Sequence, residues 1–216
     1  MLLTSLNLRS SRLLRDRIEA VRTARANSDS PTTSTRNHPP HLFGQIAQPS
    51  TSYLAIPRHV SELRRYFTVA RYGADVICGD ANFLIPDPDG FALAILSSSM
   101  FMAWQKAIGG RIKSDLRFSK TFTYNTFPIP DVTARQRRSI TEAAAGIITA
   151  RGNHPGMSLA RLYDPVAMPD DLIAAHSILD RFVDQLFGRV DLRAEADRQK
   201  VLFRHYATRT GQEILV

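Results

Sequence analysis

Residues 100–130 read MFMAWQKAIGGRIKSDLRFSKTFTYNTFPIP, and this stretch joins an apolar helix to a segment of alternating polarity. From position 111 to 118, charged and apolar residues alternate with the period of two that is typical of an extended strand. The alternation predicts one face with Arg111, Lys113, Asp115 and Arg117 and another with Ile112, Ser114, Leu116 and Phe118. We therefore predict a single strand with a polar row on one face and a buried apolar side.

The polar row suits contact with DNA bases. Side chains on one face of a strand follow one another at intervals of about 6 to 7 Å. In the major groove, Lys and Arg donate hydrogen bonds to guanine, and Asp accepts one from cytosine N4. Alternating charge is also typical of the solvated face of an ordinary antiparallel sheet. The pattern alone therefore leaves two interpretations open, a base-reading row and a solvated surface.

The positive charge of the chain is concentrated in its first part. The 216 residues carry 28 Lys+Arg and 20 Asp+Glu, a formal net charge of +8. Residues 1–130 hold 16 of the basic and 9 of the acidic residues, whereas residues 131–216 hold 12 and 11. The first part therefore favours an anionic partner such as nucleic acid. An apolar content of 44% is enough for a core in one large or two small domains.

Cysteine, histidine and apolar runs exclude several kinds of site. Cys78 is the only cysteine, so no internal disulfide or cysteine metal site is predicted, and a cytoplasmic location is favoured. None of the six histidines is spaced like a metal ligand. No apolar run reaches the roughly 18 to 20 residues that a membrane span needs. We therefore expect no metal site and no membrane contact.

The first 90 residues predict a helix, a connector and a small sheet. Apolar residues at helical spacing predict a helix over 11–26, and the polar run of 27–41 predicts a disordered connector. Short β-rich runs follow at YLAIP (53–57), YFTVA (66–70), DVICG (75–79) and NFLIP (82–86). Between the first two of these runs, Arg58, Arg64 and Arg65 could hold phosphates or could belong to a solvated loop.

An apolar helix and a helical C-terminal part complete the predicted elements. Residues 91–108 are apolar on nearly every side, which predicts one buried helix with Trp104 in the core. The runs TFTYN and FPIP after the polar row are predicted to close the sheet. Amphipathic patterns predict helices at 133–151, 169–188 and about 192–207. His176 lies on the apolar stripe of the second of these helices, where a core role is favoured over a ligand role.

Residues 96–130 resemble the target-recognition domain of the MmeI-like restriction and modification enzymes. They read LSSSMFMAWQKAIGGRIKSDLRFSKTFTYNTFPIP. The pattern of that family here is approximately LSSSMHMAW, then GGRLKSDYRYS, then YNNFPWP. Three further blocks, 17–22, 42–66 and 158–188, resemble the family in the same order. The resemblance implies that the chain is related to adenine-specific DNA methyltransferases. In these enzymes a catalytic core methylates a flipped adenine, and a recognition domain reads the duplex.

The resemblance also assigns roles to individual residues. The base-reading pair of the family corresponds to Lys113 and Asp115, with Arg117 next in the row and a second base contact near Asp80 and Ala81. Lys113 would donate to guanine O6 or N7, and Asp115 would accept from the paired cytosine N4 or orient the lysine. Independently of the resemblance, contacts to the DNA backbone are predicted for five basic residues, Arg58, Arg64, Arg65, Arg111 and Lys120.

Pattern and resemblance together predict an α+β fold, in which a small mixed β-sheet target-recognition domain with a buried helix is followed by a C-terminal helical bundle. Residues 1–41 are assigned to an N-terminal helix and a disordered linker, which are expected to be the truncated start of the recognition domain. The target-recognition domain is assigned to 42–130, and the C-terminal helical domain to 131–216.

Motifs of a complete enzyme are not found in the sequence. It contains no Gly-rich loop for S-adenosylmethionine, no Asn-Pro-Pro-Tyr and no nuclease cluster of Asp, Glu and Lys. We therefore expect no catalytic residue, no cofactor in this chain and no activity of the chain alone, S-adenosylmethionine being the cofactor of the complete family enzyme. The expected partners are double-stranded DNA and a separately encoded methyltransferase core. The alternatives are an interaction module that docks on such a core and a non-functional remnant of a broken gene.

Overall fold

A computed structural model describes residues 10–31, 33, 39–42, 47–188 and 192–211. The chain divides into two compact units, residues 1–48 and 49–216. In the first unit, helix α1 spans Arg12–Ala26 and begins at Ser11, whose hydroxyl accepts from the backbone N–H of Leu14. The helix predicted over 11–26 is therefore confirmed, although none of its residues is buried. Positions 32 and 34–38 of the predicted connector lie outside the described residues.

The strands of the second unit form two small antiparallel sheets. The first sheet has the order β3-β1-β4, built from β1 (Tyr53–Pro57), β3 (Ala70–Tyr72) and β4 (Asn82–Pro86). The second has the order β2-β6-β5, built from β2 (His59–Val60), β5 (Gly110–Ile112) and β6 (Asp115–Arg117). Only Arg58 separates β1 from β2, so the chain passes directly from one sheet to the other.

The predicted strands YLAIP and NFLIP are confirmed, and the other predicted strands are not. Residues 66–69 are buried without being a strand, and 75–79 pass from a turn and a bend at 75 and 76 into an irregular segment. The TFTYN run lies in a π-helical turn, Lys120–Tyr124, and FPIP is irregular. The turn is stabilised locally, because the Ser119 hydroxyl accepts from the backbone N–H of Phe122 at 3.1 Å.

The predicted apolar helix is two helices, α2 (Phe91–Leu96) and α3 (Ser99–Ile108). The break has a local cause, because the backbone at Ser98 is extended and its hydroxyl accepts from the N–H of Phe101. Helix α3 is buried from Met100 to Gln105, which confirms Trp104 as a core residue.

The C-terminal part is helical, as the sequence predicts. Helices α4 (Ala134–Gly152), α6 (Asp170–Leu186) and α7 (Glu195–Thr210) match the three predicted segments, and the short α5 (Leu159–Leu162) was not predicted. Helix α4 packs against α6 and α2, and α7 packs against α3. One apolar core therefore runs from the sheets through α3 into the C-terminal helices, and the α+β class is confirmed. The residue boundaries expected between domains stay predictions.

Contacts at the break between α2 and α3 attach α6 to the rest of the unit. The backbone N–H and the hydroxyl of Ser99 donate to the Asp180 carboxylate at 2.7 and 2.6 Å. Nδ1 of His176 lies 3.1 Å from the Ser97 carbonyl oxygen, which can only accept, so Nδ1 carries the proton. Its Nε2 accepts from the Tyr163 hydroxyl at 2.7 Å. Burial lowers the pKa of His176 from 6.5 to about 3, and the ring is a neutral core residue, as predicted.

Candidate nucleic-acid interface

The stretch predicted as one strand over 111–118 is a β-hairpin. Strands β5 and β6 pair antiparallel, with Ile112 opposite Asp115 and Arg111 opposite Leu116. Lys113 and Ser114 form the turn, so the single-strand prediction is wrong. Lys113 adopts a φ of 55°, a conformation that costs a non-glycine residue roughly 1–2 kcal/mol.

The hairpin changes which side chains share a face. Directly opposed residues in an antiparallel pair project to the same side. Asp115 and Arg117 therefore lie on one face, as predicted, but Arg111 lies on the opposite face with Leu116. Ile112 was predicted to be buried and is instead 45% exposed, because it lies opposite Asp115. The predicted four-residue row is thus reduced to Asp115 and Arg117, with the exposed Lys113 at the tip.

The third strand of this sheet adds a residue that the sequence analysis missed. His59 on β2 lies opposite Arg117 and is exposed, whereas its neighbour Val60 is buried opposite Leu116. We call the exposed face of this sheet the hairpin face, and it carries His59, Gly110, Ile112, Asp115 and Arg117. No local sequence pattern could place His59 there, because the pairing joins distant parts of the chain.

The hairpin is fixed to the buried helix α3 by a side chain. Gln105 is 0% exposed, and its Nε2 donates to the carbonyl oxygen of Arg117 at 2.9 Å. Gly109 leaves the space that this amide needs, since a Cβ there would lie 2.0 Å from Gln105 Nε2. The backbone N–H of Phe118 donates to the Arg58 carbonyl oxygen at 2.9 Å, and the ring of Phe118 is buried. The base of the hairpin is therefore held from the core side.

The second predicted base contact lies on the loop that enters β4. Asp80 and Ala81 are both exposed, and the Ala81 carbonyl oxygen accepts from the backbone N–H of Arg58 at 3.2 Å. This bond connects the loop to the segment that leads into His59. A groove of about 460 Å³ runs along the same segment and is lined in part by Pro57, His59, Gly79 and Asn82.

Three of the five predicted phosphate contacts lie next to the hairpin. Arg58 is exposed beside the second sheet, and its guanidinium lies 5.7 Å from the centre of the Phe83 ring. Lys120 is exposed in the π-helical turn that follows β6. Arg111 pairs with Glu62 at 2.5 Å and donates to the Ser114 carbonyl oxygen, so it supports the hairpin turn.

The other two predicted phosphate contacts face different cavities. Arg64 donates to the Thr68 hydroxyl at 2.9 Å and lines the groove beside His59. Arg65 lines a separate cavity that is bordered by Asp180 on α6 and by Arg198 on α7. The two arginines are adjacent in sequence but do not present one common surface.

The described residues contain neither a metal site nor a helix that could span a membrane. Within them, no group of His, Cys, Asp and Glu side chains is arranged to hold a metal ion. None of the described helices combines the length and the apolar composition that crossing a membrane requires.

Comparison with known proteins identifies the two parts of the chain. Residues 4–131 match the family model of the MmeI target recognition domain, and residues 132–213 match that of the MmeI C-terminal domain. The chain is 33% identical over 203 residues to DNA methyltransferase A of Bacillus subtilis (strain 168), covering 94% of this chain and 23% of the relative.

A solved structure shares the same fold. The type IIL restriction-modification enzyme MmeI in complex with DNA superposes with a TM-score of 0.85 and 36% sequence identity. The match covers 95% of this chain and 28% of that enzyme, so the chain spans about a quarter of the length of these relatives. The chain therefore belongs to the MmeI family, of which it carries the target recognition domain and the C-terminal domain.

Proposed function

We propose that the chain reads a specific sequence in double-stranded DNA, as the recognition part of an MmeI-like restriction-modification methyltransferase. The proposal rests on the structure of the hairpin. Its polar side chains Lys113, Asp115 and Arg117 are exposed, while its base is bonded to a fully buried glutamine. A short hairpin with a rigid base can present side chains to the major groove, which admits a two-stranded β-ribbon.

The three polar side chains differ in what they can recognise. Lys113 has three N–H donors at the tip of the hairpin and suits the O6 and N7 acceptors of guanine. Asp115 has only acceptor atoms when ionised and suits the N4 amino group of cytosine. Arg117 has a planar fork of donors that matches guanine in a bidentate way. Each such contact discriminates against the wrong base by about 1–3 kcal/mol.

Asp80 and Ala81 provide the second base contact of this proposal. The hydrogen bond from Arg58 to Ala81 keeps their loop close to the second sheet. Contacts to the phosphates come from Arg58, Arg64 and Lys120. We assign Arg111 a smaller part in phosphate binding, because Glu62 neutralises it.

S-adenosylmethionine binding and methyl transfer are assigned to a methyltransferase core outside these 216 residues. The support is the sequence itself, which contains neither an Asn-Pro-Pro-Tyr motif nor a Gly-rich cofactor loop. Such a core, on a separate chain, is the proposed protein partner, and the recognition part would position it on the target adenine.

The test exchanges the donor and the acceptor of the hairpin. Sequences bound by the chain are enriched from a randomised duplex pool, for the wild type and for the variant with Lys113→Asp and Asp115→Lys. We expect the wild type to enrich one sequence and the variant to enrich a different one. A matched control exchanges charges at exposed positions on α7, with Asp197→Lys and Lys200→Asp, and should leave the enriched sequence unchanged.

Affinity for the enriched duplex should also fall steeply as the salt concentration rises, because lysine and arginine side chains that bind phosphates release counterions from the DNA. An enriched sequence that is the same for the wild type and the hairpin exchange would refute the assigned roles of Lys113 and Asp115. Absence of any enrichment by the wild type would refute sequence-specific recognition altogether.

A second candidate function is docking of the C-terminal part on the methyltransferase core. The observation that favours it is an apolar strip on α6, where Ile178 and Phe182 lie one turn apart and are 42% and 37% exposed. The full chain with Ile178→Ser and Phe182→Ser should then lose co-purification with an adenine methyltransferase polypeptide. Duplex binding should remain, which distinguishes docking from DNA recognition.

A further inference from the structure

His59 lies on the hairpin face although no motif points to it. It is the direct antiparallel partner of Arg117, so both side chains project to the same side of the sheet. His59 is exposed on this side, while Val60 anchors the strand in the core through the opposite face. The position is therefore fixed by the fold, and the imidazole is left available for contacts outside the protein.

The surroundings of His59 connect the two segments that are proposed to contact bases. On one side lies Arg117 of the hairpin, paired across the sheet. On the other side, Pro57 pairs with Asn82, directly after the loop that carries Asp80 and Ala81. Both His59 and Asn82 also line the groove of about 460 Å³ on the side of this loop. A duplex that contacts both segments would thus pass over His59.

We infer that His59 is a further specificity-determining residue, which contacts the edge of a base near the one contacted by Arg117. This inference rests on the proposed function. Residues that face each other across an antiparallel pair are about 4.5–5.5 Å apart at Cα, and successive bases of one DNA strand are separated by about 3.4 Å. Side chains from His59 and Arg117 can therefore reach bases one or two steps apart.

The imidazole has the chemistry for such a contact. In its neutral form, one ring nitrogen donates and the other accepts a hydrogen bond. The donor can bind the N7 atom of a purine, and the acceptor can bind the amino group of adenine or cytosine. A contact of this kind discriminates between bases, whereas a contact of the same side chain to phosphate would not.

The experiment measures base preference at every position of the bound sequence. Duplexes enriched from a randomised pool are compared for the wild type, His59→Ala and His59→Gln, with thermal melting of each protein as a check on folding. We expect His59→Ala to lower the discrimination at one base pair by about tenfold and to leave the other positions unchanged. His59→Gln, which keeps one donor and one acceptor, should retain more of the preference at the same base pair than His59→Ala.

His154→Ala is the matched control, because that imidazole is bonded to Asp171 at the start of α6, at 2.8 Å. It should leave every position unchanged. Two results would overturn the inference, an unchanged preference in both His59 variants and an equal loss of affinity for all sequences. If either occurs while the Lys113 and Asp115 exchange still changes the preferred sequence, only the inference on His59 fails. If the wild type has no preference, the proposed function fails with it.

Discussion

Lowering the pH should destabilise the protein through His176. This histidine is buried between Ser97 and Tyr163, and burial lowers its pKa from 6.5 to about 3. The unfolded chain therefore binds one proton more than the folded protein between these two values. The contribution of His176 to stability is complete above pH 6.5 and is lost as the pH falls toward 3.

The size of the effect follows from proton linkage. Well below the unfolded pKa of 6.5, one extra proton in the unfolded state lowers the free energy of unfolding by about 1.4 kcal/mol per pH unit. Between about pH 8 and about pH 5, the loss from one such histidine is about 2 kcal/mol. Asp180 acts in the opposite direction, because burial raises the pKa of its carboxyl above 3.8. Its contribution is complete below that value and is lost as the pH rises.

A non-titrating variant separates the two groups. His176→Gln can keep a donor toward Ser97 and an acceptor toward Tyr163, and it leaves Asp180 unchanged. Urea unfolding followed by circular dichroism at about pH 8 and about pH 5 should show a smaller loss of stability in the variant, by about 2 kcal/mol. Equal losses of unfolding free energy in the wild type and His176→Gln between the two pH values would show that His176 does not carry the effect.

Gly109→Ala tests how the hairpin is held, with Gly146→Ala as its control, and Lys113→Gly tests the role of the turn. Gly109→Ala should lower the free energy of unfolding by about 1–3 kcal/mol, because its Cβ would lie 2.0 Å from Gln105 Nε2 and 2.3 Å from the Gln105 carbonyl oxygen. Gly146→Ala, at an exposed position of α4 where a Cβ meets nothing within 4 Å, should instead raise it by about 0.5–1 kcal/mol. If urea unfolding shows that both alanine variants change the free energy of unfolding in the same direction, the role assigned to Gly109 is wrong. Lys113→Gly should leave stability within about 1 kcal/mol of the wild type, because it relieves the positive φ. The same variant should lose about tenfold in base discrimination in a duplex competition assay, and unchanged discrimination would count against the role of Lys113.

The sequence placed Asp115 and Arg117 on the correct face of the sheet, but it did not predict that the chain reverses before them. Asp115 and Arg117 were correctly assigned to one face, because residues two positions apart on the same strand share a face even though the chain reverses before them. Turn residues such as Asn-Gly would have signalled the reversal, but Lys113 and Ser114 carry no such signal. The two-residue turn exchanges even and odd positions between the two strands, so the faces predicted for Arg111 and Ile112 were wrong.

Elements determined by local pattern were predicted well, and elements determined by distant pairing were not. Helices α4, α6 and α7 follow amphipathic periodicity, which a single segment contains. The run YFTVA has the composition of a strand, but only Ala70–Tyr72 pairs with β1. His59 and Gln105 act through partners that are far away in the sequence, so no motif could identify them.

A contact between Lys113 and a guanine can be tested atom by atom. In the duplex enriched by the wild type, each guanine is replaced in turn by analogues that lack N7 or O6, and affinities are measured for the wild type and Lys113→Ala. We expect one guanine at which the analogue weakens binding by the wild type about tenfold and has no further effect on Lys113→Ala. If every analogue weakens both proteins equally, Lys113 does not contact a guanine and the hairpin does not read DNA in the proposed way.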